Sequence, residues 1–239
     1  MRSVFITGTS SGIGHALAGE YLNRDWQVYG VSRRRPDDLA GRQHYFHAVV
    51  DLADHVRTRS VVSKLLTSTK CLDLAVLNAG VLGQFDDLAQ VGLDDLKRTM
   101  EINLWSNKTL MDTLFSSGMT VRQVVSISSG ASINGNRGWA GYSLSKAALN
   151  MLTRLYAREH SDTHFCALAP GVVDTDLIDH LCALHPEGRF AALDALRAKR
   201  GTAAMPAPAE AAVQLVDAIQ RLPGLVESGA FADLRNLPG

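Results

Sequence analysis

The chain has 239 residues, 46% of them hydrophobic, which is enough to bury the core of one large α/β domain. Its 24 Lys and Arg residues balance its 24 Asp and Glu residues, which argues against a general nucleic-acid or membrane surface. Cys71, Cys166 and Cys182 are far apart and indicate no disulfide framework or zinc site, and the histidines show no metal-binding spacing. Without a long apolar run or a signal-peptide pattern, we expect a cytoplasmic protein that holds no metal.

Strand-like and helix-like segments alternate along the chain. Short apolar runs predict strands at residues 4–6, 26–31, 45–50, 72–77, 121–127, 164–168 and 229–234. Helical patterns lie at residues 13–23, 54–67, 92–116, 140–160, 175–204 and 208–221. The alternation predicts right-handed βαβ units, and therefore a doubly wound α/β/α sandwich around a parallel sheet. No linker divides residues 1–239, so we expect a single domain, with the polar segment 175–204 as a candidate substrate lid.

A glycine-rich turn joins the first predicted strand to the first helix. Glycines allow the backbone to approach a pyrophosphate, and the helix N-terminus favours its negative charge. The spacing is Gly-x-x-x-Gly-x-Gly, and an ordinary glycine turn is the alternative interpretation. The candidate dinucleotide-binding residues are Gly8, Ser10, Ser11, Gly12, Ile13 and Gly14.

Basic residues follow the second predicted strand, where many NAD-binding proteins carry an acidic residue that bonds the ribose 2′-hydroxyl. Here Arg33 and Arg34 occupy that position, and an arginine there can pair with a 2′-phosphate. The sequence therefore favours NADP(H), with NAD(H) as the alternative. The arginines also fit a basic loop that is simply exposed to solvent.

The next two strand ends carry further candidates for the cofactor site. Asp51, followed by Leu52, is placed to accept a hydrogen bond from the adenine amino group, although it also fits a solvent-facing strand end. The run Asn78-Ala79-Gly80 has the small residues that close packing against adenosine needs, although it also fits a plain turn.

Tyr142 and Lys146 lie four residues apart on a predicted helix, so they share one face, and Ser129 precedes the tyrosine by thirteen residues. An ammonium beside a phenol favours the phenolate, so we expect the pKa of Tyr142 to fall. Such a tyrosine is a proton donor and acceptor suited to carbonyl chemistry beside a dinucleotide. By itself the pair also fits a chance arrangement on a helix.

Taken together, these residues resemble the short-chain dehydrogenase/reductase family over nearly the whole chain. The resemblance implies one Rossmann-like domain with a seven-stranded parallel sheet. It also implies a catalytic set of Asn103, Ser129, Tyr142 and Lys146, in which Ser129 stabilises the substrate oxygen and Asn103 completes a water relay to Lys146. Tyr142 and Lys146 would also contact the cofactor. The loop residues expected to surround the nicotinamide are Pro170, Gly171, Val173 and Thr175.

The tail at residues 227–233 resembles the sepiapterin reductase and bacterial benzil reductase branch of that family, which uses NADPH to reduce diketone-like carbonyls. The resemblance gives Asp233 the position of a substrate-anchoring aspartate, although a structural Asp at an edge strand is the alternative. Trp139 and Leu177 are the other candidates for substrate contact. Family members usually form homodimers or tetramers, so we expect a homo-oligomer.

The sequence therefore predicts an NADPH-dependent reductase of a small ketone or aldehyde, with an aromatic carbonyl or a diketone as the favoured type. A redox sensor that binds NADP without turnover is one alternative, against which the intact Ser/Tyr/Lys/Asn set argues. An NAD-dependent alcohol dehydrogenase is another, against which Arg33 argues. The sequence offers no feature that supports a purely structural role.

Overall fold

A computed structural model describes residues 1–116, 118–184 and 188–238. Its main sheet has seven parallel strands in the order β3-β2-β1-β5-β7-β8-β9. The strands are β1 (Ser3–Thr7), β2 (Gln27–Ser32), β3 (Tyr45–Val49), β4 (Cys71–Leu72), β5 (Leu74–Leu77), β6 (Thr120–Val121), β7 (Gln123–Ile127), β8 (His164–Ala169) and β9 (Ala230–Asp233). The two-residue strands β4 and β6 precede β5 and β7 and pair with each other. The predicted α/β/α fold with seven parallel strands is confirmed.

Helices cover both faces of the sheet. They are α1 (Gly12–Asn23), α2 (His55–Leu65), α3 (Leu93–Met100), α4 (Ser106–Ser116), α5 (Ala131–Asn134), α6 (Ala140–Glu159), α7 (Asp176–Ala183), α8 (Ala191–Arg197) and α9 (Pro208–Leu225). No described helix is both long and apolar enough to cross a membrane.

Two helical predictions need correction. The segment 92–116 was expected to be one helix, but a π-helical turn at Glu101–Trp105 separates α3 from α4, and Asn103 is buried at its centre. The lid segment 175–204 contains two short helices, α7 and α8, rather than continuous helix. Residues 185–187 of that predicted lid lie outside the described residues.

The core is divided by the sheet. One apolar cluster joins β1, β2 and β8 to α1 and α9, with Leu17, Tyr21 and Ile219 fully buried. The other joins the opposite face to α2, α4 and α6, with Leu110 and Phe165 fully buried. A third, smaller cluster belongs to α7, α8 and their neighbours and lies outside the sandwich.

The sheet has a switch point between β1 and β5. From β1 the chain builds outward to β2 and β3 on one side, and then returns to add β5, β7, β8 and β9 on the other side. The loops that follow β1 and β5 therefore run to opposite faces and leave a crevice at the carboxyl ends of the strands. That crevice is where the candidate residues meet.

Candidate active site

A cleft of about 700 Å³ opens at the carboxyl ends of the strands. Its walls come from the loops that follow β1, β2, β3, β5, β7 and β8, from α6 and from the lid segment. Most of the residues predicted from the sequence line it. The predicted residues absent from its lining are Gly14, Arg34, Asn103 and Asp233.

The glycine turn has a backbone that the other amino acids adopt with difficulty. Gly8 has φ of 77° and Gly12 has φ of 59°, both in the left-handed region. Gly14 has a different role, since a Cβ there would overlap the Gly8 carbonyl oxygen and the Asn78 amide. Gly14 therefore lets α1 pack closely behind the turn, while the N-terminus of α1 faces the cleft.

Asn78 braces this turn from the neighbouring strand. Its side-chain amide donates to the Thr7 carbonyl at 2.9 Å, and its backbone N–H donates to the Thr7 hydroxyl at the same distance. Because the side chain is committed to β1, Asn78 holds the glycine turn in position. Ala79 and Gly80 continue the wall of the cleft beyond it.

The end of β2 carries Arg33 in the wall of the cleft, with Arg34 outside it. Ser32 also lines the cleft, and sequence reasoning missed it. Its hydroxyl donates to the Arg34 carbonyl at 2.7 Å and lies 2.8 Å from Nε2 of His47 on β3. A hydroxyl residue at a strand end beside a basic run was the signal that could have identified it.

At the end of β3, Asp51, Leu52 and Ala53 line the cleft. The Asp51 carboxylate accepts the Ala53 backbone N–H at 3.1 Å, so it also shapes its own turn. Arg98 of α3 and Ile102 of the π-helical turn also line the cleft, and sequence reasoning did not single out either of them.

A nicotinamide dinucleotide fits this half of the cleft. The turn at Gly8 and Gly12 leaves no side chain between the backbone and a pyrophosphate, and a helix N-terminus lies beside it. The residues at the end of β2 offer a hydroxyl and a guanidinium, Ser32 and Arg33, instead of the carboxylate suited to an unphosphorylated ribose.

Ser129, Tyr142 and Lys146 meet in the other half of the cleft. Ser129 follows β7, and its hydroxyl accepts the Ala131 backbone N–H at 3.1 Å. The Lys146 ammonium lies 5.7 Å from the centre of the Tyr142 ring and donates to the Ile127 carbonyl at 2.7 Å. The predicted shared helix face of Tyr142 and Lys146 is therefore observed.

The expected fall in the pKa of Tyr142 is wrong for this structure. Burial raises the pKa of the phenol above its ordinary value, and hydrogen bonding to the Ser129 hydroxyl offsets only part of that rise. Burial also lowers the pKa of Lys146 to about 8. The Lys146 ammonium donates to a backbone carbonyl, and its presence does not outweigh the cost of burying a phenolate.

Asn103 lies behind the cleft wall and is fully buried. Its side-chain oxygen accepts the Val81 N–H at 2.8 Å, and its amide donates to the Val81 carbonyl and the Ser145 hydroxyl. The Asn103 carbonyl accepts from Asn107 at 2.8 Å. These bonds fasten the loop after β5 to α6, so Asn103 positions the wall beside Lys146.

The loop after β8 completes the cleft with Pro170, Gly171, Val173 and Thr175. Beyond it, Trp139, Leu177, Ile178 and Leu196 form an apolar wall. Both predicted contact residues of that wall, Trp139 and Leu177, are therefore in the cleft.

An aromatic cluster supports Trp139 from outside the cleft. The Phe85 ring meets Trp139 edge-on at 5.3 Å and meets Phe190 of the lid segment at 4.9 Å. Gly138 has φ of 97°, and a Cβ there would lie 2.6 Å from the Phe85 ring. The absence of a side chain at Gly138 therefore allows Phe85 to reach Trp139.

Ion pairs fasten the same cluster at the surface. Asp87 binds the guanidinium groups of both Arg137 and Arg189, and Asp86 binds Arg189 at 3.0 Å. Both arginines also lie over the Phe190 ring. The loop after β5, the loop that precedes α6 and the lid segment are thus held together at one point.

Asp233 ends the edge strand β9, and its side chain is 8% exposed. Its carboxylate accepts two bonds from the Arg235 guanidinium, Nε at 2.8 Å and Nη2 at 2.5 Å. Arg235 holds the pKa of that carboxyl below its usual range. Asp233 is therefore paired within the chain rather than presented to the cleft.

Among the described residues, no group of histidine, cysteine and carboxylate side chains is arranged to hold a metal ion. The acid–base residues of the cleft are Tyr142 and Lys146, with Asp51 and Asp176 near its mouth. Tyr142 and Lys146 can support proton transfer in this cleft.

Comparisons with known proteins agree with this class of site. The family model for short chain dehydrogenase matches residues 2–183, so the chain belongs to the short-chain dehydrogenase/reductase family, whose members are oxidoreductases that bind NAD(P).

Its relatives include a benzil reductase, (S)-benzoin forming, from Saccharomyces cerevisiae, which is 32% identical over 74% of this chain and 73% of the relative. Another is an NADPH-dependent pterin aldehyde reductase from Arabidopsis thaliana, 26% identical over 84% of this chain and 86% of the relative. The crystal structure of a Saccharomyces cerevisiae short-chain dehydrogenase/reductase superposes with a TM-score of 0.85, at 23% identity, over 99% of this chain and 97% of that one. That structure shows the fold alone.

Proposed function

We propose that the protein reduces a ketone or aldehyde to an alcohol with NADPH, and that its substrates are aromatic carbonyl compounds or diketones. The observation that carries the proposal is the placement of Ser129, Tyr142 and Lys146 in the same cleft as the glycine turn. The benzil and pterin aldehyde reductase relatives support carbonyl reduction and this substrate type. The apolar wall around Trp139 suits an aromatic group better than a sugar.

In this mechanism a bound nicotinamide supplies the hydride for reduction and takes it back in oxidation. Tyr142 donates its phenolic proton to the carbonyl oxygen, and its raised pKa keeps it protonated at neutral pH, as a general acid needs to be. The Ser129 hydroxyl donates a hydrogen bond to the same oxygen and stabilises the developing charge.

Lys146 supplies the replacement proton. Its pKa of about 8 keeps much of the amine protonated at neutral pH and still allows it to release a proton. Asn103 holds the Val81 loop beside it and, through a water relay, would reconnect the amine to solvent. Pro170, Gly171, Val173 and Thr175 would contact the nicotinamide, and Ser32 and Arg33 the 2′-phosphate.

We also infer a homodimer. Helix α6, with the π-helical turn that contacts it, leaves Trp105, Leu144, Met151 and Leu155 about half exposed in the single chain. Light scattering should give a dimer mass, and Met151→Asp should shift the protein to monomer. A wild-type monomer at working concentration would contradict this inference.

The test of the function is oxidation of NADPH, followed by absorbance, with benzil, 1-phenyl-1,2-propanedione, benzaldehyde and a pterin with a diketo side chain. Each reaction is repeated with NADH. Turnover of the aromatic and diketone substrates with NADPH well above NADH supports the proposal. NADPH binding without turnover of any substrate would favour the sensor alternative.

A further inference from the structure

A small polar network lies behind the cleft wall at the end of β2. The Ser32 hydroxyl, whose residue lines the cleft, lies 2.8 Å from Nε2 of His47 and 3.4 Å from the Thr9 hydroxyl. The Tyr45 hydroxyl donates to Thr9 at 3.2 Å, so the network joins β2 and β3 to the glycine turn. His47 is not part of the cleft lining and reaches it through Ser32.

The space for this network depends on Gly30, which pairs with His47 between β2 and β3. A Cβ at Gly30 would lie 2.7 Å from the Tyr45 hydroxyl and 2.8 Å from the Thr9 hydroxyl. Because Gly30 has no side chain, Tyr45 can reach Thr9 and hold it beside Ser32.

The hydrogen bonds assign the tautomer of His47. Ser32 has one hydroxyl hydrogen, which it donates to the Arg34 carbonyl at 2.7 Å, so the bond between Ser32 and His47 takes its hydrogen from Nε2 of the imidazole. Nδ1 is buried, and a hydrogen there would need an acceptor that none of the described residues supplies. Burial and the nearby Arg35 guanidinium lower the pKa of His47, so the ring is uncharged at neutral pH.

A donor from His47 leaves the Ser32 hydrogen free to change its partner. Nε2–H fills one lone pair of the Ser32 oxygen, while the hydroxyl hydrogen points to the Arg34 carbonyl. A phosphate in the cleft beside Arg33 can take that hydrogen instead, because an anionic oxygen is a stronger acceptor than a neutral carbonyl. During the exchange Nε2–H holds the Ser32 oxygen in place and polarises the hydroxyl toward the anion.

We propose that His47 is a positioning residue for the choice between the two nicotinamide cofactors, and that it acts on the 2′-phosphate through the Ser32 hydroxyl. The inference rests on the proposed use of NADPH, because it takes Ser32 and Arg33 as the groups that contact the 2′-phosphate. His47 lies outside the cleft lining, so its loss should change the selection of the cofactor rather than the chemical step.

The test measures the Kd of NADP⁺ and of NAD⁺ by calorimetry on the whole protein, without substrate. The two ligands differ only in the 2′-phosphate. In His47→Phe, which keeps a ring and removes the donor, we expect the Kd of NADP⁺ to rise about tenfold and that of NAD⁺ to stay within about twofold. His47→Gln, whose side-chain amide can donate in place of Nε2–H, should recover most of the loss.

A double-mutant cycle tests the route through Ser32. Ser32→Ala removes the hydroxyl and should raise the Kd of NADP⁺ about tenfold. Because His47 acts through that hydroxyl, the double variant His47→Phe with Ser32→Ala should bind NADP⁺ about as weakly as Ser32→Ala alone. His164→Phe removes an imidazole from β8, outside the cleft lining, and is the matched control that should leave both Kd values unchanged.

Equal losses of NADP⁺ and NAD⁺ affinity, an unchanged NADP⁺ affinity, or no recovery in His47→Gln would overturn the role of His47. Additive losses in the double variant would overturn it too. A wild type that binds NADP⁺ no more tightly than NAD⁺ would overturn it together with the proposed NADPH preference, whereas the turnover panel decides carbonyl reduction separately. A selective loss in His47→Phe that His47→Gln restores supports the inference, whichever carbonyl substrate that panel finds.

Discussion

The two halves of the cleft differ in the parts of the chain that shape them. The half expected to hold the cofactor is centred on a backbone turn, at Gly8 and Gly12, which Asn78 braces and short strand-end loops surround. The substrate half is made of side chains from several segments, with Trp139 supported by Phe85 and by Phe190 of the lid segment. The sheet determines the shape of the first half, and side-chain packing determines the shape of the second. A substitution of the same kind, such as glycine to alanine, should therefore have different effects in the two halves.

The largest effect is expected at the border between the halves. Tyr142→Phe removes the proton donor and leaves the ring in place, so kcat should fall by about a thousandfold. The Kd for NADPH should change less than twofold, since the glycine turn is untouched. Rates and cofactor binding are measured on the same preparation, and retained turnover would refute the role of Tyr142.

Lys146→Met tests how far the buried amine lowers the free energy of unfolding. Burial lowers the pKa of Lys146 to about 8, from 10.5, so the unfolded chain binds more protons between pH 8 and 10.5. The wild type should therefore gain stability as pH rises through that window, and the cost of charging the amine is fully present below pH 8.

The methionine variant removes that cost. It should be more stable than the wild type at pH 7 by at most about 3 kcal/mol, reduced by the lost bond to the Ile127 carbonyl. The difference should shrink by pH 10. Denaturant unfolding at both pH values checks this, and a pH-independent difference would contradict the lowered pKa.

Gly14→Ala probes the cofactor half. The new methyl group overlaps the Gly8 carbonyl and the Asn78 amide, so we expect a loss of about 1–3 kcal/mol in unfolding free energy and much weaker NADPH binding. Gly19→Ala in the same helix is the matched control, since nothing lies within 4 Å of the added Cβ. Gly19→Ala should be slightly more stable than the wild type. Equal unfolding free energies and equal NADPH binding of the two variants would contradict the role given to Gly14.

Arg33→Ala tests the phosphate contact. NADPH binding should weaken about tenfold while NADH binding stays within twofold, because only the 2′-phosphate loses a charge-assisted bond. Arg34→Ala is the control, since Arg34 lies outside the cleft lining. Fluorescence titration with both cofactors measures the ratio, and loss of NADH affinity alongside NADPH would argue for a structural role.

Gly138→Ala is the counterpart of Gly14→Ala in the substrate half, and we expect it to have the smallest effect. The methyl group must displace the Phe85 ring, and φ of 97° adds backbone strain, so Trp139 should shift. We expect KM for an aromatic ketone to rise about fivefold, on the order of 1 kcal/mol, with NADPH binding intact. Gly135→Ala, which is also at positive φ but in open space, is the control. A matched rise in that control would assign the effect to backbone strain.

The fold could be predicted because strand periodicity and glycine turns are local features of the sequence. The order of the sheet and the position of the cleft follow from the βαβ rule, and that rule gathers Gly8, Arg33 and Ser129 at one edge. The parts that escaped prediction depend on contacts between distant segments. Nothing near Asn103 in sequence shows that the backbone of Val81 occupies both of its polar side-chain atoms. The pairing of Asp233 with Arg235, by contrast, is local, and sequence reasoning did not consider it.

The pKa of Tyr142 escaped prediction for a different reason. The sequence places Lys146 one turn away, but it does not show that the fold buries Lys146 and partly buries Tyr142. Charge proximity favours the phenolate and desolvation opposes it, and only the three-dimensional surroundings decide which effect is larger.

The ion pairs of Asp87 with Arg137 and Arg189 make the cleft sensitive to its solvent. They are partly exposed, so added salt weakens them, whereas the hydrogen bonds between Asn78 and Thr7 that brace the glycine turn join uncharged groups and are insensitive to it. Raised ionic strength should therefore weaken the binding of bulky carbonyl compounds. It should weaken dinucleotide binding only through the charged contact to the phosphate. A protein of this design would change its substrate range with the salt concentration of its surroundings, without any change in its sequence.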